Sequence, residues 1–389
     1  MIALTATRLY TPLECVEAPL LLIEDYTIVE VSSRAARSLP EGVRHIDFDN
    51  AILAPGFVDI HIHGGAGYDV MSADAAGLAA FEQLLASHGV TSYFPTTVTA
   101  PLDQTLSALE RLAAEIERVE RDRRPEGRRA QPLGIHLEGP FISHVRRGVH
   151  PPENLLPPTL AMFDRFWQAA RGRIRVMTIA PELEGATEVI AEAASRKVCV
   201  SVGHSDADLN ASRTAVAAGA RHATHTFNAM RPLDHREPGI IGEVLTDPRL
   251  SADIIADGIH LDPVIVQLFL KAKGAEGAVL ISDATAATGM PEGRYRLGSL
   301  EVEVKNGRCT SEGRLAGSVL TMDRAVRNVM QFAHWDLQAA LRLASLNPAR
   351  VGGLPGRGKI EAGGPADIVV LTPTGEVKAA IVGGVLPGM

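Results

Sequence analysis

The feature that most restricts the fold is an alternation of apolar runs with amphipathic stretches through the middle of the chain. Runs at 52–62, 91–98, 133–137, 175–179, 198–202, 222–227, 252–256 and 278–281 read as strands. Helical periodicity occupies 74–88, 103–120, 160–171, 185–195, 208–219, 239–247 and 263–273, and a last stretch, 322–344, follows the final run. Parallel strands are buried on both faces and joined by helical crossovers, so they read as continuous apolar runs. Eight such units over roughly 290 residues predict a (β/α)8, TIM-like barrel. A doubly wound open sheet is the alternative, but no G-x-G-x-x-G opens a helix here.

The ends follow a different pattern. Short β-type runs fill the first fifty residues, punctuated by Pro12, Pro40 and Gly42, and β-type runs return at 367–371 and 379–385. The expected organisation is an α/β barrel over 51–345 beside a small β-sandwich module built from 1–50 and 346–389. Residues 294–309 read as a polar hairpin with Asn306-Gly307 at its turn.

Hydrophobic residues at 46% and charged ones at 22% place the chain in the ordinary globular class. A net charge of -8 argues against a nucleic-acid footprint. Arg121 to Arg129, interrupted by Asp122, Pro125, Glu126 and Gly127, reads as a solvated loop. No apolar stretch reaches the roughly 18 residues a membrane span needs, and no signal-peptide pattern opens the chain. Cys15, Cys199 and Cys309 form no C-x-x-C, which suits a reducing compartment. The expected location is cytoplasmic.

Catalytic groups in such a barrel lie at the carboxyl ends of strands. His61 and His63 sit on alternate positions of the first run, so both face one side. An isolated H-x-H is often no more than a strand closing into a loop. Here Glu138, His204, His225, His260 and Asp283 stand at the ends of other runs. Imidazole and carboxylate are the donors that zinc and similar divalent ions take, and the conjunction predicts a metal site on Glu138, His204 and His225. A bound divalent ion makes hydroxide available at neutral pH and polarises a carbonyl. Asp283 is the strand-end carboxylate left to move protons, and His150 is a candidate to steady a tetrahedral oxyanion. No serine or cysteine stands in a G-x-S-x-G motif, which disfavours an acyl-enzyme. His45, His88, His136, His144, His222, His235 and His334 read as structural, and Cys199 as core.

The motifs HLEGPF at 136–141, GVH at 148–150, VGHSDA at 202–207, HTFNAM at 225–230, DGIH at 257–260 and SDA at 282–284 carry a resemblance. LNPAR at 346–350 and GPADIVV at 364–370 extend it. The chain resembles the amidohydrolase superfamily and, within it, the deacetylase family that acts on N-acetylglucosamine 6-phosphate. The resemblance implies hydrolysis of that acetamide to glucosamine 6-phosphate and acetate by a homodimer. It implies that Glu138, His204 and His225 hold the principal metal, with His61 and His63 as a second pair that Glu138 and Asp283 complete. The metal expected is zinc, with iron, cobalt or manganese as alternatives, one or two per subunit.

Asp283 matches the general acid/base, His150 and His260 the substrate contacts, and Asn228 and Ala229 the neighbourhood of the sugar phosphate. Arg236 matches a phosphate-binding arginine that the neighbouring subunit can supply. Leu315, Ala316 and Gly317 complete the substrate wall, and Val149 stands where some relatives carry a hydroxyl residue. The rival readings are deacetylation of N-acetylgalactosamine 6-phosphate or another N-acyl sugar, a cyclic amidase, and a catalytically dead barrel. Cyclic amidases commonly bridge metals with a carboxylated lysine, and 133–137 and 175–179 contain none.

Overall fold

The computed structural model describes residues 1–122 and 129–386. The solvated-loop reading of Arg121 to Arg129 falls chiefly on 123–128, outside the described residues. Arg121 itself lies in the last turn of the helix Leu102–Asp122. Arg129 meets the buried Glu82 at 2.6 Å.

The strand Phe57–Ile62 is buried at every position and pairs in parallel with Val90–Pro95. Thr96 then bridges to His136, which leads into Ile135–Glu138. That strand pairs with Ile174–Ile179, then come Cys199–Val202 and His222–Ala223, all parallel. The amide of Thr226 donates to the carbonyl of Asp253 in Ala252–Ile254, which pairs in parallel with Ala278–Leu280. The amide of Asp283 donates to the carbonyl of His61 at 2.9 Å, so the pairings return to the first strand. Parallel strands place their carboxyl ends, and the loops that follow, on one side.

Helices cross between these strands for the reasons the sequence suggests. Leu102–Asp122 buries Thr105, Ala108, Leu109, Leu112, Ala113 and Ile116, a stripe at three- and four-residue spacing. Asp74, Thr159, Asp208, Asp262 and Asp336 cap five helices by accepting a first-turn amide.

Both chain ends enter one seven-stranded sheet, with Val377–Ile381, Ile368–Leu371, Arg44–Pro55, Ile2–Tyr10, Pro19–Glu24 and Thr27–Ser33 in that order. Cys15–Glu17 pairs on Ile2–Tyr10. A separate apolar cluster that includes Leu4, Leu21, Leu53, Ile368 and Val370 sits on this sheet.

Three local readings are corrected. The apolar run 52–62 is two strands, because Arg44–Pro55 belongs to the terminal sheet and the chain changes sheets at Gly56. A Cβ at Gly56 would lie 2.2 Å from the Thr91 side chain, so only glycine passes there. The terminal sheet therefore runs to Pro55, past the expected boundary at 50. The stretch 322–344 is two helices, Met322–Ala333 and Leu337–Ala344, broken where His334 turns left-handed at φ 57°.

The expected hairpin at 294–309 is four antiparallel strands, Gly293–Leu297, Leu300–Lys305, Arg308–Ser311 and Arg314–Leu315. Asn306-Gly307 does turn the middle pair. Inward residues of this small sheet, Leu297, Val302, Val304 and Cys309, pack with Met71, Val98, Ala100 and Ala108, which sets it over the rim.

Candidate metal centre and substrate pocket

The strand ends deliver their side chains by leaving regular geometry. His204, His225 and Asp283 take left-handed backbone angles, φ 47°, 31° and 49°. Each costs on the order of 1 kcal/mol for a residue with a Cβ, and such strain gathers where surrounding structure fixes a side chain for use. The expected strand 222–227 ends at Ala223 for this reason, and His225 stands on the turn after it.

Four imidazoles and two carboxylates then converge. Oε1 of Glu138 lies 3.1 Å from Nε2 of His225, 3.2 Å from that of His204 and 3.5 Å from that of His61. Its Oε2 lies 3.4 Å from Nε2 of His63. Oδ1 of Asp283 approaches His63 at 3.1 Å and His61 at 3.5 Å. All six residues are buried. Two triads, His61–His63–Glu138 and Glu138–His204–His225, are each compact enough to hold an ion, and they share Glu138.

Hydrogen bonds tell which nitrogens face the centre. Nδ1 of His63 donates to the carbonyl of Thr96, and Nδ1 of His204 to that of Arg146, both at 3.0 Å. In the neutral ring each Nε2 then carries the lone pair that a metal ligand requires. Nε2 of His204 lies 3.1 Å from Nε2 of His225, and those of His61 and His63 lie 3.3 Å apart. Ring nitrogens so crowded, beside two carboxylates, suit a divalent cation.

The electrostatics agree. Burial pushes the Glu138 carboxyl up, but the charge on His61 and hydrogen bonds from His204 and His225 hold it well below its usual range. Asp283 is likewise raised by burial and pulled down to about 2 by His61 and His63. Burial lowers His225, yet the bond and charge of Glu138 raise it to about 9. Both carboxylates are thus ionised and call for positive charge, which a metal ion supplies in place of protons.

A pocket of about 200 Å³ opens over this centre. It is lined by His63, Glu138, Val149, His150, His204, His225, Asn228, Ala229, His260, Asp283, Leu315, Ala316 and Gly317. His61 lies beneath it, fully buried. Arg236 is not in the lining but on an exposed turn, its amide bonded to Asp234. Gly148 of the GVH motif also lines the pocket, as do Val98, Ile255 and Leu297, which lie outside the expected site residues. Val98 stood at the end of the second apolar run and could have been found by the strand-end rule. Leu297 could not, because its sheet read as a polar hairpin.

Two histidines on the walls have definite hydrogen-bond partners. The amide of Thr99 donates to Nδ1 of His150, so the ring proton must sit on Nε2, which points toward Glu138 at 3.8 Å. Burial, then the charge on His204, lowers this imidazole to about 3, so it is neutral. Nδ1 of His260 lies 2.8 Å from Asp257. His136 is engaged on both sides, at Ile60 and Thr178, and takes no part in either triad.

A model of the amidohydrolase family matches residues 52–386. The chain belongs to the amidohydrolase family. Among its curated relatives, N-acetylglucosamine-6-phosphate deacetylase of Bos taurus is 40% identical over 354 residues, covering 87% of this chain and 84% of that one. N-acetylgalactosamine-6-phosphate deacetylase of Escherichia coli O157:H7 is 38% identical over 351 residues, covering 90% and 91%. A solved N-acetyl-D-glucosamine-6-phosphate deacetylase from Mycobacterium smegmatis, in complex with N-acetyl-D-glucosamine-6-phosphate, superposes with a TM-score of 0.91 at 35% identity, covering 99% of this chain and 98% of that one. For an amidohydrolase, a His- and carboxylate-lined centre is the expected place for a divalent metal ion, and the donor set here fits one.

Proposed function

We propose that this chain hydrolyses the acetamide of N-acetylglucosamine 6-phosphate, giving glucosamine 6-phosphate and acetate. The observation that carries the reading is the convergence of two ion-sized triads on Glu138, beneath a pocket that also holds Asp283 and His150. The architecture we infer is a (β/α)8 barrel with a β-sandwich module from the two chain ends, 1–55 and 346–389.

Glu138, His204 and His225 would hold the principal ion, and His61, His63 and Asp283 a second that shares Glu138. Zinc is our reading, with iron, cobalt or manganese as alternatives. When bound, such an ion polarises the acetyl carbonyl and acidifies water. Asp283 is ionised and takes the proton of the attacking water, then returns it to the departing amine. The Nε2–H of His150 is aimed to donate to the oxygen on which charge develops. His260 and Asn228 would take sugar hydroxyl and phosphate oxygens, with Ala229 beside them. Val149 offers no side-chain hydrogen bond, so any contact there is through its surface.

Among the described residues the pocket lining includes no lysine or arginine, although a 6-phosphate carries nearly two negative charges. Arg236 sits on an exposed turn with the half-exposed Leu233. We therefore assign Arg236 to the pocket of a neighbouring copy in a homodimer, where its fork suits phosphate. No described helix is long and apolar enough to cross a membrane. Cys15, Cys199 and Cys309 are free thiols, which fits a cytoplasmic enzyme.

The second reading, N-acetylgalactosamine 6-phosphate as substrate, is favoured by the Escherichia coli relative. Acetate release from both sugar phosphates, and from the same sugars without phosphate, separates the two. Faster turnover of the galactose epimer would replace our substrate.

A further inference from the structure

Asp59 stands two residues before His61 on the strand Phe57–Ile62, so strand alternation puts both side chains on one face. It is fully buried and belongs to neither triad. A buried carboxylate outside the metal centre needs a reason, because desolvation is costly unless every oxygen is used.

Both oxygens are spent on the residue before Asp283. Oδ2 accepts from the hydroxyl of Ser282 at 2.5 Å, and Oδ1 accepts from the Ser282 amide at 3.3 Å. Oδ1 also accepts from the His61 amide at 3.3 Å. The carbonyl of Ser282 is held in turn by the Ser318 hydroxyl at 2.6 Å, and the Ser318 amide donates to the Asp283 carbonyl at 2.7 Å. The Asp283 amide is bound to His61. Gly317 passes so close that a Cβ there would lie 2.9 Å from the Asp283 carbonyl.

The left-handed backbone of Asp283 is thus fixed from both sides, and one of the clamps is a pair of hydrogen bonds from Ser282 to a buried carboxyl group. Proton transfer depends on sub-ångström placement; a 1 Å error costs on the order of a hundredfold.

We propose that Asp59 is a positioning residue for the reaction: through Ser282 it sets the left-handed turn that aims the Asp283 carboxylate. The inference rests on the reading of Asp283 as the proton carrier. It implies a split that a merely structural carboxylate would not give. Asp59→Asn keeps shape and one acceptor oxygen but removes the second, so the Ser282 hydroxyl and the Ser282 and His61 amides can no longer all be accepted. In that variant kcat should fall about ten- to a hundredfold, while KM and bound metal per chain stay within about twofold. Ser282→Ala should give the same split and decides the matter alone if the Asp59 variant does not fold. The double variant should lose no more than the worse single, because both act through one contact.

The proposal is overturned if kcat in both single variants stays within about twofold of the parent, or if any loss follows loss of metal or a raised KM. If the parent itself releases no acetate from the sugar phosphate, the functional reading fails. If the parent turns over and the variants match it, only the role of Asp59 fails.

Discussion

Asp283 has two claims on it, a ligand's and a proton carrier's, and one atom distinguishes them. Asp283→Asn retains an oxygen for coordination and loses the base. It should therefore keep its metal while kcat falls by roughly a thousandfold, within the usual span for a general acid/base. Metal analysis beside acetate release checks both halves; near-normal turnover would remove the assignment. The opening histidines are the other test at this scale. Replacing His61 and His63 together should lower metal toward one ion per chain and leave measurable activity. Loss of all metal would make that pair primary.

Most of these residues were legible because histidine and carboxylate at strand ends are rare enough to stand out by position alone. The neutral Nε2–H tautomer of His150 was not legible. It follows from the Thr99 amide, 51 residues away in sequence. Nor was Asp59 readable, since its partner Ser282 lies 223 residues on.

Elements were read well where burial is two-sided and poorly where it is not. The inner parallel strands announced themselves as apolar runs. The rim sheet from Gly293 to Leu315 alternates exposed and buried positions, so half of it looked like solvent-facing loop. The run 52–62 misled for the opposite reason: one apolar stretch serves two sheets, and only the fit of Gly56 against Thr91 divides it.

Helix contacts carry a pH-dependent element of stability. Asp323, in the first turn of Met322–Ala333, meets Nδ1 of His88, the C-cap of Ala75–Ser87, at 3.0 Å. Burial raises this carboxyl, but His88, Thr321 and Arg327 bring it down to about 2 from an ordinary 3.8. A folded value below the unfolded one stabilises the native state above pH 3.8, and the contribution is lost as pH falls toward 2. Asp323→Asn should therefore cost about 1–2 kcal/mol near neutral pH, and the gap to the parent should close between those two values. Urea unfolding at several pH values measures it; a gap that widened on acidification would contradict the assignment.

At the scale of the whole molecule, the pocket lining among the described residues holds no lysine or arginine, while Arg236 stands on an exposed turn. If Arg236 serves a neighbouring copy, Arg236→Ala and Asp283→Asn homodimers should each be weak. Mixed dimers should regain activity, because one site then combines an intact Asp283 with Arg236 of the partner subunit. No regain on mixing would place the arginine in its own pocket or out of the reaction. The family resemblance implies that a neighbouring subunit can supply Arg236, but the sequence carries no physical mark separating this arginine from a surface one.

The most direct test of the account is metal content per chain measured beside acetate release from N-acetylglucosamine 6-phosphate, before and after chelation. The account predicts one to two divalent ions per chain, release that stops when they are removed, and recovery when they are returned. Full turnover by a metal-free chain, or a metal-loaded chain that releases no acetate, would contradict it.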